Sequence, residues 1–197
     1  MNWQEEIELK QKRHNRLLFS RDSLFLRDLS EIVAKQSHKT LILWSLELAE
    51  GTVRKLLETF PHEKRPSEAL EAARAWSQGF VKMRFAQRKI LDCHAMAKES
   101  YNRETVALCH AVGQACSVVH TPKHALGYPV YDLTATYWRA DAQHVADLLQ
   151  DRKNYYIDRL ADWEKRAQSE ALPWADFIEQ NDRRGESIDE LQPKSAK

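Results

Sequence analysis

Residues 104–120 read ETVALCHAVGQACSVVH, and this stretch decides the fold of the protein. Apolar or small side chains cover most of its helical circumference, while His110, Gln114 and Ser117 form one narrow polar stripe. A helix that is apolar nearly all round is buried among other elements. Small residues such as Gly113 let neighbouring backbones approach closely, which offsets the roughly 1 kcal/mol that a mid-helix glycine costs relative to alanine. The stretch therefore predicts a central helix surrounded by other helices.

Helical spacing of apolar residues continues on both sides of this stretch. The clearest face has steps of three and four residues and consists of Ile42, Leu46, Ala49, Val53, Leu56 and Phe60. Similar patterns predict helices over 67–80 and 83–100, divided near Gly79, and a last long helix over 141–168. Five glycines and six prolines in 197 residues are too few for a protein built from many short strands. We expect an all-α fold, a single-domain bundle of about seven or eight helices around the central apolar helix.

Prolines after the central stretch predict where helices begin and end. Thr121 followed by Pro122 is typical of a helix start, because threonine caps the first turn and proline is tolerated at the first helical position. Pro129 predicts a kink or a break after Tyr128, because proline lacks the backbone N–H that a helix interior uses. The segment between the central helix and the last long helix is therefore expected to be interrupted twice.

The length of 197 residues suits one domain followed by a short tail. We place the helical domain at residues 1–170 and the C-terminal tail at residues 171–197. Within the tail, residues 172–178 form an amphipathic segment that is able to dock on the bundle. Residues beyond 181 have few apolar side chains to bury, so we expect this part of the tail to be disordered.

Charge and cysteine content suggest the compartment. Lys and Arg number 30 against 29 Asp and Glu, so a net charge of +1 gives no overall field toward nucleic acid or an anionic membrane. The N-terminal sequence is acidic where a signal peptide requires positive charge, and residues 106–119 are too short and too polar to span a bilayer. Cys93, Cys109 and Cys116 lack the paired spacing of a disulfide framework or a zinc site. We expect a cytoplasmic protein with reduced cysteines and no membrane partner.

Four histidines are the candidate metal ligands. His120 and His124 are four residues apart, a spacing that suits two ligands on one helical face. The predicted helix boundary between them and the lack of a specified third ligand favour a structural role, and only His94 or His110 is available to complete a set. We therefore predict no metal and no other cofactor. The alternative function, a helical metal-binding protein or small metalloenzyme, requires the four rings to converge in space.

The sequence contains no recognisable catalytic set. Cys109 precedes His110, but adjacent residues of a helix point about 100° apart and do not form a nucleophile and base pair. A glycine-rich phosphate loop and a Gly-x-Ser-x-Gly nucleophile motif are both missing. We predict a protein that is not an enzyme and assign no catalytic residue.

A basic cluster is the candidate surface for a binding partner. Lys82, Arg84, Arg88 and Lys89 surround Phe85, and such interleaving is found where proteins contact phosphates and bases. A solvated helix face is the plainer interpretation, because the remainder of the chain supplies compensating acidic residues. Arg84 and Arg88, one helical turn apart, are the candidate partner-binding residues. Nucleic acid is not expected to be the partner.

Three sequence features carry a resemblance to a known family. They are the pair His38-Lys39 at the start of a long helix, Arg65-Pro66 followed by ALEAARAW at 69–76, and GQACSVVHTPKHALGYPVY at 113–131. Over about residues 38–139 the chain resembles the fifth-type-like immunity proteins of bacterial polymorphic toxin systems. The resemblance implies an all-helical cytosolic protein that binds and neutralises a cognate toxin protein without catalysis. It identifies neither the toxin nor the binding face.

Overall fold

The computed structural model describes residues 2–183 of the chain. This part is all-α, as predicted, and contains no strand. It forms nine α-helices, which are α1 (Trp3–Lys12), α2 (Arg27–Val33), α3 (His38–Thr59), α4 (Arg65–Ser77), α5 (Met83–Glu99), α6 (Arg103–Ser117), α7 (Gly127–Arg139), α8 (Val145–Arg166) and α9 (Asp176–Arg183). Short 3-10 turns lie at Leu24–Leu26 and Pro122–His124. Disorder was predicted beyond residue 181, but Asp182 and Arg183 are the last residues of α9, and residues 184–197 lie outside the described part.

Polar residues at the ends of the helices explain where several of them begin. The Ser37 side chain accepts a hydrogen bond from the Thr40 N–H at the start of α3, and the Asn102 side chain accepts one from the Thr105 N–H at the start of α6. Gly79 follows α4 with φ at 79°, a left-handed conformation that glycine adopts without steric cost. The predicted division near Gly79 is therefore confirmed.

Helix α6 lies at the centre of the bundle and contacts α3, α4, α5 and α7. The side chains of Leu108, Val112 and Cys116 on this helix are buried. Helix α8 packs across α3 and α7 on one side, and the segment between α1 and α2 buries Leu18 and Phe19. The prediction of a central apolar helix is confirmed, although the helix ends at Ser117 rather than at residue 120.

The expected interruption at Pro129 is wrong. Pro129 is the third residue of α7, where the missing N–H of proline breaks no hydrogen bond because the first turn has no upstream carbonyl to reach. Helix α7 therefore continues past Tyr128 to Arg139, and most of its residues are buried. The described part has nine α-helices, where about seven or eight were expected.

Two further boundaries differ from the expectation. The start signal at Thr121 and Pro122 produces a three-residue 3-10 turn, and the α-helix itself begins five residues later, at Gly127. The last long helix begins at Val145, because residues 141–144 form a turn in which the Asp141 side chain accepts backbone hydrogen bonds from Gln143 and His144. Among the described helices, none is long and apolar enough to cross a membrane.

Candidate functional site

The polar stripe of α6 is satisfied by neighbouring side chains. The Ser117 hydroxyl donates to the carbonyl of Gly113 at 2.8 Å within the helix. His110 is paired with His94 of α5, and the amide oxygen of Gln114 accepts from His124 at 2.9 Å. The stripe therefore forms a half-buried polar seam along α5, α6 and the 3-10 turn before α7.

His94 and His110 form a direct imidazole pair. Their Nδ1 atoms are 2.8 Å apart, so one ring donates and the other accepts. Burial, together with nearby His110 and His124, lowers the pKa of His94 to about 4, and burial with the cations Arg16 and Lys98 lowers the pKa of His110. Both rings are therefore neutral at pH 7, and the N–H proton of one ring lies between the two Nδ1 atoms.

Gly113 makes room for this pair. The His94 ring lies directly over Gly113, and a Cβ placed there would be less than 3.0 Å from three ring atoms. The closeness of α5 and α6 at this point therefore depends on a residue without a side chain, as the sequence of α6 suggested.

We expect Gly113→Ala to lower the free energy of unfolding by about 1–2 kcal/mol, because the added methyl displaces His94 and overpacks the seam. Gly51→Ala is the matched control, since a Cβ at this exposed mid-helix position meets no atom within 4 Å. Alanine there should stabilise the protein by up to about 1 kcal/mol. Urea unfolding of both variants measures the difference, and equal stabilisation by both substitutions would contradict the packing described.

The four candidate metal ligands do not converge. His120 is exposed and its ring stacks on Trp76, 6.0 Å away, while His124 is engaged by Gln114. In the described part of the chain, no group of three or more His, Cys, Asp or Glu side chains is placed to hold a metal ion. The structure brings together only His94 and His110, so the convergence required by the metalloprotein alternative is not seen.

A buried polar network was not predicted from the sequence. Arg152 of α8 donates to Asp132 of α7 at 2.6 Å and to the Tyr128 hydroxyl at 3.1 Å, and the Tyr156 hydroxyl donates to the same Asp132 carboxylate. The Tyr128 hydroxyl in turn donates to the carbonyl of Leu48 on α3. Burial and the neighbouring Asp132 raise the pKa of Tyr156. The network cross-links three helices and has the character of a structural core.

The sequence spacing of these residues indicates that they lie on common helical faces. Tyr128 and Asp132 are four residues apart, as are Arg152 and Tyr156, so each pair lies on one helical face. The expected break at Pro129 hid the first pair, because it placed Tyr128 and Asp132 in different elements.

The sequence features that carry the resemblance to the immunity family hold helices together. His38 donates from Nε2 to the carbonyl of Val118 at 2.7 Å, and its backbone N–H donates to Asp182 of α9 at 3.0 Å. Lys39 pairs with Glu179 of α9 at 2.8 Å. These contacts fasten the C-terminal helix to the start of α3.

Arg65 and Trp76 hold the two ends of α4 against neighbouring helices. The Arg65 guanidinium donates to both carboxylate oxygens of Glu99 at 2.7 and 2.6 Å and to Glu63 at 2.9 Å, which ties the start of α4 to the end of α5. Trp76 is buried beneath His120 and contacts Phe177 of α9. The shared motifs therefore describe a scaffold rather than a catalytic constellation.

Arg84 and Arg88 are both exposed on α5. Neither makes a side-chain hydrogen bond or ion pair within residues 2–183, whereas Lys89 beside them pairs with Glu68 at 2.8 Å. Two surface grooves of about 450 and 460 Å³ lie next to residues 172–177, and none of the four histidines lines either of them. The basic surface and the histidine seam are therefore separate features.

Comparison with known proteins identifies the family to which the chain belongs. No curated protein and no solved structure matches the chain. One family description does match, over residues 31–171, which is well over half of the chain. The matched region runs from α2 through α8 and includes the central helix, the histidine seam and the Tyr-Asp-Arg network. The chain belongs to the family described as Imm-5 like putative immunity protein.

Proposed function

We propose that this chain is an immunity protein of a bacterial polymorphic toxin system, which binds a cognate toxin domain in the cytoplasm and neutralises it without catalysis. The observation that carries the proposal is the family match over residues 31–171. Membership in an immunity-protein family implies a toxin partner, and the resemblance at His38-Lys39, Arg65-Pro66 and 113–131 points the same way.

The chemistry of the buried thiols supports a binding role. Cys93, Cys109 and Cys116 are all buried, and burial raises the pKa of both Cys109 and Cys116 to about 12. None of the three is a thiolate at neutral pH, so none is an activated nucleophile. The same side chains pack α5 and α6 together, where the Cys93 thiol points at the carbonyl of Cys109.

The test is co-expression with the toxin domain encoded beside this gene. We expect the full chain to restore growth of a host that expresses the toxin domain and to co-purify with it in a fixed ratio. Failure to bind or to protect against that domain would overturn the proposal.

A titration distinguishes binding from catalysis. With purified toxin domain, a stoichiometric inhibitor stops toxin activity only when about one equivalent of the chain has been added. Complete inactivation by a small fraction of an equivalent would show turnover and would contradict the non-catalytic part of the proposal.

A further inference from the structure

The first half of α5 has a buried and an exposed face. Ala86, Ile90 and Cys93 point into the core, while residues at positions i, i+4 and i+7 from Arg84 point outward. Arg84, Arg88 and Leu91 occupy this outward face.

Large apolar side chains are concentrated on this surface. Four of the ten exposed large apolar residues of the described chain lie within 80–91. Phe80 is 69% exposed, Phe85 is 52% exposed and Leu91 is 66% exposed. Clustered exposure of this kind marks interaction surfaces, whereas single exposed apolar residues are ordinary.

The same surface has positive charge that no side chain of the described residues pairs with. Lys82, Arg84 and Arg88 have no side-chain hydrogen bond or ion pair inside residues 2–183. Several other arginines, such as Arg65 and Arg159, are held by carboxylates. The uncompensated charge therefore complements a partner that supplies acidic groups.

A groove adjoins the surface at its α4 end. It has a volume of about 450 Å³, and its lining includes Trp76, Val81, Lys82, Met83 and Phe177. Lys82 and Asp176 both line the groove beside its apolar side chains, a combination that suits one projecting apolar side chain with polar residues around it.

We infer that this α5 surface, defined as Phe80, Lys82, Met83, Arg84, Phe85, Arg88 and Leu91, is where the chain binds its toxin, and that the toxin presents an acidic surface with an apolar projection. The inference rests on the proposed function. Phe80 and Phe85 are rings on which bases could stack, but Met83 and Leu91 enlarge the apolar part of the surface with side chains that have no ring. The net charge of +1 also adds no long-range attraction to phosphates, so a protein partner fits better than nucleic acid.

The test is a charge reversal with a matched control. Arg84→Glu/Arg88→Glu should weaken binding of the co-expressed toxin domain at least about tenfold, because two favourable charge contacts become repulsive. Arg27→Glu/Lys35→Glu makes the same change in net charge at exposed positions outside this surface, and should change the Kd by less than about twofold. Both variants remain folded in this expectation, which thermal unfolding checks.

A second variant tests the apolar part of the α5 surface. Phe80→Ser/Phe85→Ser replaces exposed side chains, so we expect an unchanged fold and again at least about tenfold weaker binding. Full binding and protection by both α5 variants would overturn the inference and leave the proposed function intact.

Failure of the proposed function and failure of the inferred binding surface are distinguishable in one set of assays. A wild-type chain that binds no toxin domain overturns the proposed function, and the inference falls with it. A wild-type chain that instead binds a single-stranded oligonucleotide, with affinity that falls steeply with salt and with the Arg84→Glu/Arg88→Glu change, would assign the surface to nucleic acid.

Discussion

We expect Asp132→Ala to lower the free energy of unfolding by about 3–4 kcal/mol, the largest single effect of the substitutions considered. Asp132 is 4% exposed and accepts from both Arg152 and Tyr156. Removing one partner of a buried ion pair leaves the other charge uncompensated, which costs about 3–5 kcal/mol. The lower part of that range applies because the Arg152 side chain keeps about 30% of its surface in contact with solvent.

The geometry explains why the remaining groups cannot compensate. Without the carboxylate, the Tyr156 hydroxyl is buried without a partner and Arg152 retains only the Tyr128 hydroxyl and the faces of Tyr155 and Tyr156. Three helices meet at this network, so a loss here weakens the docking of α8 on α3 and α7.

Urea unfolding followed by circular dichroism measures the loss. Asp162→Ala is the control, because Asp162 pairs with Arg159 at the surface with about half of its side chain exposed. This variant should lose less than about 1 kcal/mol. A loss below about 1 kcal/mol for Asp132→Ala as well would mean that the network does not hold the helices together.

We expect the protein to lose stability as the pH falls from about 6.5 toward 4. Four histidines have a lowered pKa in the folded state, His38, His94, His110 and His124. Burial is the main cause in each, and the positive charges of Arg16 and Lys98 on His110 and of Arg21 on His124 act in the same direction. At His38 the Val118 carbonyl and Asp182 oppose the shift in part.

The sign of this pH dependence follows from the number of protons that the folded and unfolded chains bind. The ordinary pKa of histidine is 6.5, whereas His94 in the folded protein titrates near 4. Between these values the unfolded chain binds more protons, so stability decreases as the pH falls. The stabilisation by neutral His94 is complete above pH 6.5. A shift of this size corresponds to about 3 kcal/mol for a fully buried group, which we reduce to about 2 kcal/mol because solvent reaches the half-buried seam.

Denaturant unfolding at a series of pH values measures this dependence. The loss should be smaller in His94→Gln, which removes the most strongly shifted ring. His62→Gln, an exposed control in the turn before α4, should keep the wild-type pH dependence. Identical pH profiles for His94→Gln and the wild type would contradict a neutral, buried imidazole pair.

Much of the fold was predictable because it depends on local chemistry. The apolar circumference of residues 104–120 requires burial wherever the chain goes, and the cap residues and Gly79 act within one turn of their own position. Pro129 shows the limit of such reasoning. The same residue breaks a helix interior and is harmless in a first turn, and only the position of the helix start at Gly127 decides between the two.

The candidate site was predictable only in part. The histidines and the basic cluster were recognised by residue type, but their partners come from other helices. His94 meets His110 across α5 and α6, and Asp132 meets Arg152 across 20 residues of sequence. Periodicity reports which face of a helix a residue occupies and carries no information about which face of another helix lies opposite.

The sequence by itself therefore determined an all-helical chain with a buried central rod, three thiols in helical segments and a basic, aromatic segment around residue 85. Only the tertiary structure decided that the four histidines separate into one pair and two single contacts. It also decided that Arg84 and Arg88 have no partner among residues 2–183, while Arg152 is held by a buried carboxylate. The physical reason is the sequence distance over which the deciding interactions act. Helix formation and burial follow from neighbours within a few positions, whereas the state of a polar side chain depends on groups that packing brings to within about 3 Å.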